Sequence, residues 1–311
     1  MTKHKYSIAI HGGAGNYNWD NFDKAKQNAY FNGLKSSIEA AVKVLKDGGS
    51  ALEASILAVE HMENNAIFNA GRGSVFTKDA SIEMDASVMC GQKIKSGSLA
   101  AVKGIKNPIR LAEKILNWGK HNFICGSSAH EFAALFDDIE IVDEDYFKTE
   151  NRFTQLQKAL ETNEAALDHN LEDVEEKGTV GAVALDSKGN LAAATSTGGM
   201  TGKWSGRIGD SGVPGAGNYA KNGYAAVSCT GTGEAFTNLN AAARLIHMME
   251  FGRFTLKDAA NLIIQKDLVN MGGYGGLIAI DNKGNIECPY NSKGMFHAFS
   301  KENTEINIFT S

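Results

Sequence analysis

The chain carries one threonine placed where an unusual nucleophile could arise, Thr179, directly after Gly178 at the seam between two unlike stretches. Upstream the sequence is acidic, helix-prone and poor in apolar residues, whereas Val180 to Leu185 is an alternating, β-branched run that a sheet could bury. If the Gly178–Thr179 bond were cut, the freed α-amine, with a pKa of about 7.7–8.0, would lie beside the threonine's own hydroxyl and could take its proton. One residue would then supply both nucleophile and base. Threonine is also a favoured strand former, so these few residues alone favour a plain first residue of a β-strand.

Two more threonine clusters follow, Thr195-Ser196-Thr197-Gly198-Gly199 and Thr230-Gly231-Thr232-Gly233. Flanking glycines would leave hydroxyls and backbone N–H groups uncovered, as an oxyanion site requires. Taken singly, Thr197 or Thr230 is better read as a turn hydroxyl bonding nearby backbone. Gly206-Arg207-Ile208-Gly209-Asp210 offers an arginine and an aspartate three residues apart. By default this is a surface ion pair worth little. If the pair faced the same cavity as Thr179, Arg207 could grip an α-carboxylate in bidentate fashion and Asp210 an α-ammonium.

The elements that must position these groups are legible in outline. With 311 residues, 43% of them hydrophobic and 22% charged, the chain can bury a substantial core. A net charge of -5 with no basic stripe argues against nucleic acid as a partner. Met1 to Lys5 is basic, but the apolar run Tyr6–Ile10 is too short for a signal segment, and no run reaches the length of a membrane span. Cys90, Cys125, Cys229 and Cys288 are scattered, so neither a zinc site nor a disulfide framework is expected, and a reducing cytoplasm fits best.

Tyr6–Ile10 reads as a buried strand and His11–Gly15 as the turn after it. Helical spacing runs from Phe22 to Lys46, stopped by Asp47-Gly48-Gly49, and Ser50-Ala51-Leu52-Glu53 is a capping box opening a second helix to about Met62. Strands are expected at Ser81–Met89 and Ser98–Val102, and helices from Asn107-Pro108 to Trp118 and from Ser128 to Phe136. Asp143–Lys177 reads as a mobile linker with one helix at Arg152–Leu160. Beyond it come a hairpin over Thr179–Ser196, a strand at Ala225–Cys229, helices at Glu234–Phe251 and Thr255–Leu268, and a second hairpin over Gly276–Pro289. Strands and helices cluster and do not alternate, which predicts an α+β domain of two sheets face to face with helices outside, a four-layer αββα sandwich.

Taken jointly, Gly178–Asp186, Thr195–Gly199, Gly206–Asp210, Pro214-Gly215-Ala216-Gly217 and Thr230–Glu234, with His11–Gly15 and Phe68-Asn69-Ala70-Gly71 before them, resemble the plant-type L-asparaginase/isoaspartyl peptidase family of N-terminal-nucleophile hydrolases. The resemblance covers nearly the whole chain. It implies a single αββα domain cut into an α portion, 1–178, and a β portion, 179–311, with two cleaved protomers forming a dimer of heterodimers. It implies Thr179 as nucleophile, assisted by Thr197, with Thr230 and Gly231 on the oxyanion and Asn69 supporting the surroundings. Arg207 and Asp210 would hold the substrate's α-groups and Gly233 would lend a backbone contact. No cofactor is implied for catalysis. The loop from Met62 to Arg72 resembles one that wraps a structural alkali cation, Na⁺ or K⁺, through the carbonyls of Met62, Glu63, Asn65, Phe68, Ala70 and Arg72.

The implied substrates are L-asparagine and β-aspartyl dipeptides, which share one head group and one β-amide. Two positions depart from the family pattern, Ala66 where proline is frequent and Gly212 where Gly-Asp-Ser-Pro is common, and each removes a restraint beside a presumed site. Glycosylasparaginases share the scaffold but tend to carry aspartate before the nucleophile and Thr-Gly-Asn-Gly-Asp later, where this chain has Gly178 and Thr232. They stand as the alternative enzyme, and an uncleaved amino-acid-binding homologue as the alternative from another class.

Overall fold

The computed structural model of the protein describes residues 5–17, 19–161 and 178–310. The basic start, Met1 to His4, and residues 162–177 of the expected linker lie outside the described residues.

In chain order come β1 (Ser7–Gly15), α1 (Lys24–Lys46), α2 (Ala51–Glu63), β2 (Met84–Cys90), β3 (Lys95–Val102), α3 (Pro108–Trp118), β4 (Phe123–Cys125), α4 (Ser128–Ala133) and α5 (Glu150–Glu161). After the gap follow β5 (Val180–Leu185), β6 (Leu191–Thr197), β7 (Asn218–Lys221), β8 (Ala225–Gly231), α6 (Gly233–Leu239), α7 (Ala241–Gly252), α8 (Leu256–Leu262), β9 (Gly275–Asp281), β10 (Ile286–Glu287), β11 (Gly294–Lys301) and β12 (Asn307–Phe309). The fold is mixed α+β. An eight-stranded sheet runs β12-β11-β1-β5-β6-β2-β3-β4, and a four-stranded sheet runs β10-β9-β8-β7.

Local chemistry explains most boundaries. Ser50 caps α2 by accepting from Glu53 N at 3.1 Å, as the capping box requires. Both expected hairpins form, each turned by an aspartate that accepts from two backbone amides: Asp186 from Lys188 N and Asn190 N, Asp281 from Lys283 N and Asn285 N, all at 2.9 Å.

Several expectations need correcting. His11–Gly15 is no turn: β1 continues to Gly15, because β11 pairs with it along its whole length across a bulge between His11 and Gly13. The Met295-Phe296-His297-Ala298-Phe299 run of β11 is the overlooked apolar signal. Glu234–Phe251 is two helices broken at Asn240, whose left-handed φ of 51° no α-helix continues. The helix expected from Ser128 to Phe136 is shorter, since α4 ends at Ala133, and it starts after Ser127 with no side-chain capping bond.

Three apolar clusters hold the layers together, and strand parity sorts residues among them. Along β5, Val180, Ala182 and Ala184 join the cluster built on α1 to α3. Val183 and Leu185 point the other way, into a cluster with Ala220 of β7, Ala226 of β8 and Ile278 and Ile280 of β9. The opposite faces of β8 and β9, with Val227, Cys229, Leu277 and Ala279, pack on α6 to α8.

The part of the expected linker that is described is docked. Arg152 of α5 is 1% exposed, donating from Nε to the Gly73 carbonyl at 2.8 Å and from Nη2 to that of Ile67 at 3.4 Å. Arg152→Met would strand the Gly73 carbonyl, that of Ile67 keeping its bond from Tyr30 Oη at 3.3 Å, and is expected to lower the free energy of unfolding by about 1–3 kcal/mol. A urea midpoint equal to that of the wild type would show that this arginine does not anchor α5.

Candidate active site

Parity brings the polar residues together. Between the sheets, apolar Ala9, Val183, Leu185, Leu191 and Ala193 fill one end. The same faces of the same strands, continued past them, carry His11, Gly181, Thr195 and Thr197, while β8 adds Ser228 and Thr230 across the gap. In the β5–β6 register Val180 faces Ser196, so one further step sets Thr179 opposite Thr197.

Thr179 is held on three sides. Its N–H donates to Thr230 Oγ1 at 3.3 Å, its Oγ1 lies 3.3 Å from Ser211 Oγ, and its carbonyl is 2.8 Å from His11 Nδ1. Thr230 Oγ1 also accepts from Ala14 N at 3.1 Å. Both lone pairs of that oxygen are thus engaged, leaving its O–H free to donate elsewhere. Thr230 and Gly231 close β8, where Gly231 has a φ of 140° and lies against Gly275.

Gly178 leans on the bulge of β1. A Cβ on Gly13, whose φ is 117°, would fall 2.6 Å from the Gly178 Cα. Only glycine lets the two backbones meet there.

Asn69 acts on the turn after Thr197. It accepts at Oδ1 from Val75 N at 3.0 Å, donates from Nδ2 to the Gly199 carbonyl at 2.7 Å, and its own carbonyl takes Gly198 N at 3.1 Å. Thr197 Oγ1 accepts from Gly199 N at 3.0 Å.

Arg207, Asp210 and Gly233 converge. A Cβ on Gly233 would sit 2.9 Å from Arg207 Nη2 and 3.0 Å from Asp210 Oδ1. Arg207 does not pair with Asp210 directly. Its Nε and Nη2 donate to Glu234 Oε1 at 2.9 and 2.8 Å, a carboxylate 57% exposed that an entering ligand can displace. Asp210 is 3% exposed and its Oδ2 has no hydrogen-bond partner. Burial pushes its pKa up to about 7 against the pull of Arg207. A buried acceptor left open beside a guanidinium is a ready seat for an ammonium whose neighbour is a carboxylate.

His11, Ser211, Ser228 and Glu234 were overlooked in the sequence reading. Glu234 and His11 stood inside recognised motifs; the two serines sat in strand-like or glycine-rich runs with nothing in their spacing to mark them.

The Met62–Arg72 loop presents carbonyls without a cluster of charged ligands, and no group of three or more metal-binding side chains occurs among the described residues. The carbonyls of Asn65 and Ala70 each accept one backbone amide, from Phe68 and Gly73, both at 3.2 Å, which leaves each a second lone pair, whereas that of Met62, in the last turn of α2, takes the amides of both Asn64 and Asn65. Those of Ala66 and Phe68 both point at Gly73, where a Cβ would lie 2.5 and 2.0 Å from them. An all-carbonyl donor set of this kind suits a hard monovalent cation better than a transition metal.

Comparison with known proteins agrees in extent with the motifs. A family model described as Asparaginase matches residues 4–310. An isoaspartyl peptidase of Salmonella typhimurium is 43% identical over 298 residues, covering 95% of each chain. That of Escherichia coli is likewise 43% identical, covering 95% of this chain and 92% of its own. An isoaspartyl peptidase/L-asparaginase of Rattus norvegicus is 38% identical over 289 residues, 93% of this chain and 84% of the relative.

Proposed function

The chain belongs to the asparaginase family that its residues 4–310 match, and from that premise we propose that it is a self-cleaving threonine hydrolase of the β-amide of L-asparagine and β-aspartyl dipeptides. One observation carries the reading: Thr179, held at amide, hydroxyl and carbonyl, follows a Gly178 pressed against the glycines of β1.

In the intact chain Thr179 Oγ attacks the Gly178 carbonyl carbon, and the C–N bond breaks as the nitrogen takes the hydroxyl proton. Water then hydrolyses the resulting ester, leaving a Gly178 carboxylate and a free Thr179 amine and hydroxyl. In turnover that amine takes the Oγ proton as Oγ attacks the substrate's β-carbonyl. Thr230, with its O–H uncommitted, and Gly231 stabilise the oxyanion, and Thr197 assists from across the strand pair. The proton passes to the leaving ammonia or amino acid, and water frees aspartate from Thr179. Arg207 and Asp210 hold the α-carboxylate and α-ammonium, which sets the β-carbonyl over the nucleophile. Gly233 keeps the space between them clear, and Asn69 steadies the turn behind Thr197.

The same reading includes a four-layer αββα domain, supported by the three apolar clusters that separate helices, sheet, sheet and helices. It includes a dimer of αβ heterodimers, a cytoplasmic setting for four unpaired cysteines, and a structural alkali cation held by carbonyls of the Met62–Arg72 loop. Purified protein is expected to convert with time from one band to two fragments, 1–178 and 179–311, the second beginning at Thr179 by terminal sequencing. Active material that remains a single polypeptide would overturn the proposal.

A further inference from the structure

We propose that His11 is a positioning residue for Thr179: a one-way chain of buried hydrogen bonds holds it as the Nδ1–H tautomer, and that N–H grips the Thr179 carbonyl. The inference rests on the reading of Thr179 as the nucleophile.

The polarity of the chain follows from its ends. A carbonyl can only accept, so His11 Nδ1, 2.8 Å from the Thr179 oxygen, carries the hydrogen. In a neutral ring Nε2 then accepts, and the Ser228 hydroxyl, 2.8 Å away, donates to it. The Ser228 oxygen is left to accept from Thr195, also at 2.8 Å. Thr195 Oγ1 in turn lies 3.1 Å from Asn218 Nδ2, a nitrogen that can only donate and that is oriented by the Ser87 carbonyl and hydroxyl at 2.9 and 2.8 Å. A carbonyl at one end and an amide nitrogen at the other admit one direction only. All five side chains, from His11 to Ser87, are fully buried. Burial also drives the His11 pKa down to about 3, which keeps the ring neutral.

A second feature of the sequence makes room for the chain. On Gly181, two residues after the nucleophile, a Cβ would lie 2.1 Å from Ser228 Oγ and 2.5 Å from His11 Nε2. The strand that bears Thr179 therefore lacks a side chain where the His11–Ser228 bond passes. With its amide on Thr230 and its carbonyl on His11, Thr179 is fixed on both sides of its Cα, and only χ1 remains to aim Oγ. Releasing one side frees the residue to swing by the ångström that costs about 10²-fold in rate.

Asparagine and glutamine separate this role from simple packing. The Asn side-chain nitrogen stands where Nδ1 stands, whereas that of Gln reaches toward the place of Nε2. His11→Asn is expected to convert the 311-residue chain into fragments within about tenfold of the wild-type rate, and His11→Gln and His11→Ala about 10²-fold more slowly. Thermal melts of all three show whether the rates merely follow stability. In wild-type protein labelled with ¹⁵N-histidine, the His11 ring is expected to show a proton on Nδ1 and none on Nε2 from about pH 5 to about pH 8. Equal rates for the Asn and Gln variants, wild-type speed in the Ala variant, rates that track melting temperature alone, or a proton on Nε2 would each overturn the proposal. Should no variant fold, the tautomer decides. A wild-type chain that never cleaves removes the nucleophile reading instead, an outcome distinct from all of these.

Discussion

A Thr179→Ala chain is expected to stay a single polypeptide and to release neither ammonia from L-asparagine nor aspartate from a β-aspartyl dipeptide, a loss of about 10⁴-fold or more. In the proposed mechanism one hydroxyl attacks both Gly178 and the bound amide, so one deletion removes both reactions. The substitution leaves the N–H to Thr230 and the carbonyl to His11 in place and gives up one 3.3 Å contact with Ser211. Stability should therefore change by no more than about 1 kcal/mol. An electrophoretic time course, an ammonia assay and a thermal melt on the same preparation separate lost chemistry from lost folding. Cleavage or turnover in the alanine variant would remove Thr179 from both roles. Thr179→Ser, which keeps a hydroxyl at that position, is expected to retain measurable activity.

The second large effect lies in the clamp. Asp210→Asn keeps the shape of the side chain and removes the charge, and is expected to lower kcat/KM by about 10²–10³-fold, mostly through KM. Self-cleavage, which involves no α-ammonium, should proceed in the variant, and this sets substrate binding apart from nucleophile activation. The pH dependence has a definite sign. Burial raises the Asp210 pKa to about 7 in the free protein, so the carboxyl is increasingly protonated below that point and ionised above it. Only the ionised form attracts an ammonium, so kcat/KM is expected to rise with pH through about 7 in the wild type. In Asp210→Asn the component centred near 7 should vanish, leaving only the rise that deprotonation of the Thr179 amine gives at about 7.7–8.0. An unchanged profile in the variant would assign the titration to another group and take Asp210 out of the clamp.

The departures at Ala66 and Gly212 sit in different surroundings. Ala66 leads into the loop whose carbonyls of Ile67 and Gly73 Arg152 holds, so the restraint a proline would have given is supplied in part from α5. Gly212 packs against the Leu99 carbonyl, 3.1 Å from where its Cβ would lie, so a larger residue there would meet backbone.

Much of the architecture was legible because it follows local rules. Helical spacing from Leu34 to Leu45, the capping box at Ser50 and Asn107-Pro108 before α3 depend on neighbours three or four residues away, and all three sites became helix or cap as read. The misreadings fall where distant contacts override local preference. Glycines at 12, 13 and 15 looked like a turn, yet β11, nearly three hundred residues on, pairs with Gly13 and Gly15 as strand and leaves Gly12 in the bulge. The Arg207–Asp210 pair looked like one ion pair, yet Glu234 from the start of α6 takes the guanidinium and leaves Asp210 an open oxygen.

Most helices, both hairpins, the family and the candidate nucleophile can be read from the sequence, since periodicity, capping and motif order are properties of adjacent residues. Which hydroxyls and carboxylates share a space depends on the packing of the layers. Strand parity assigns each side chain a face, but the partner of that face is set by how two sheets stack, and His11 meets Thr179 and Ser228 across separations of 168 and 217 residues. No local pattern encodes contacts of that range; they follow from burying the apolar ends of the same strands against each other, which leaves the polar ends facing one another around Thr179.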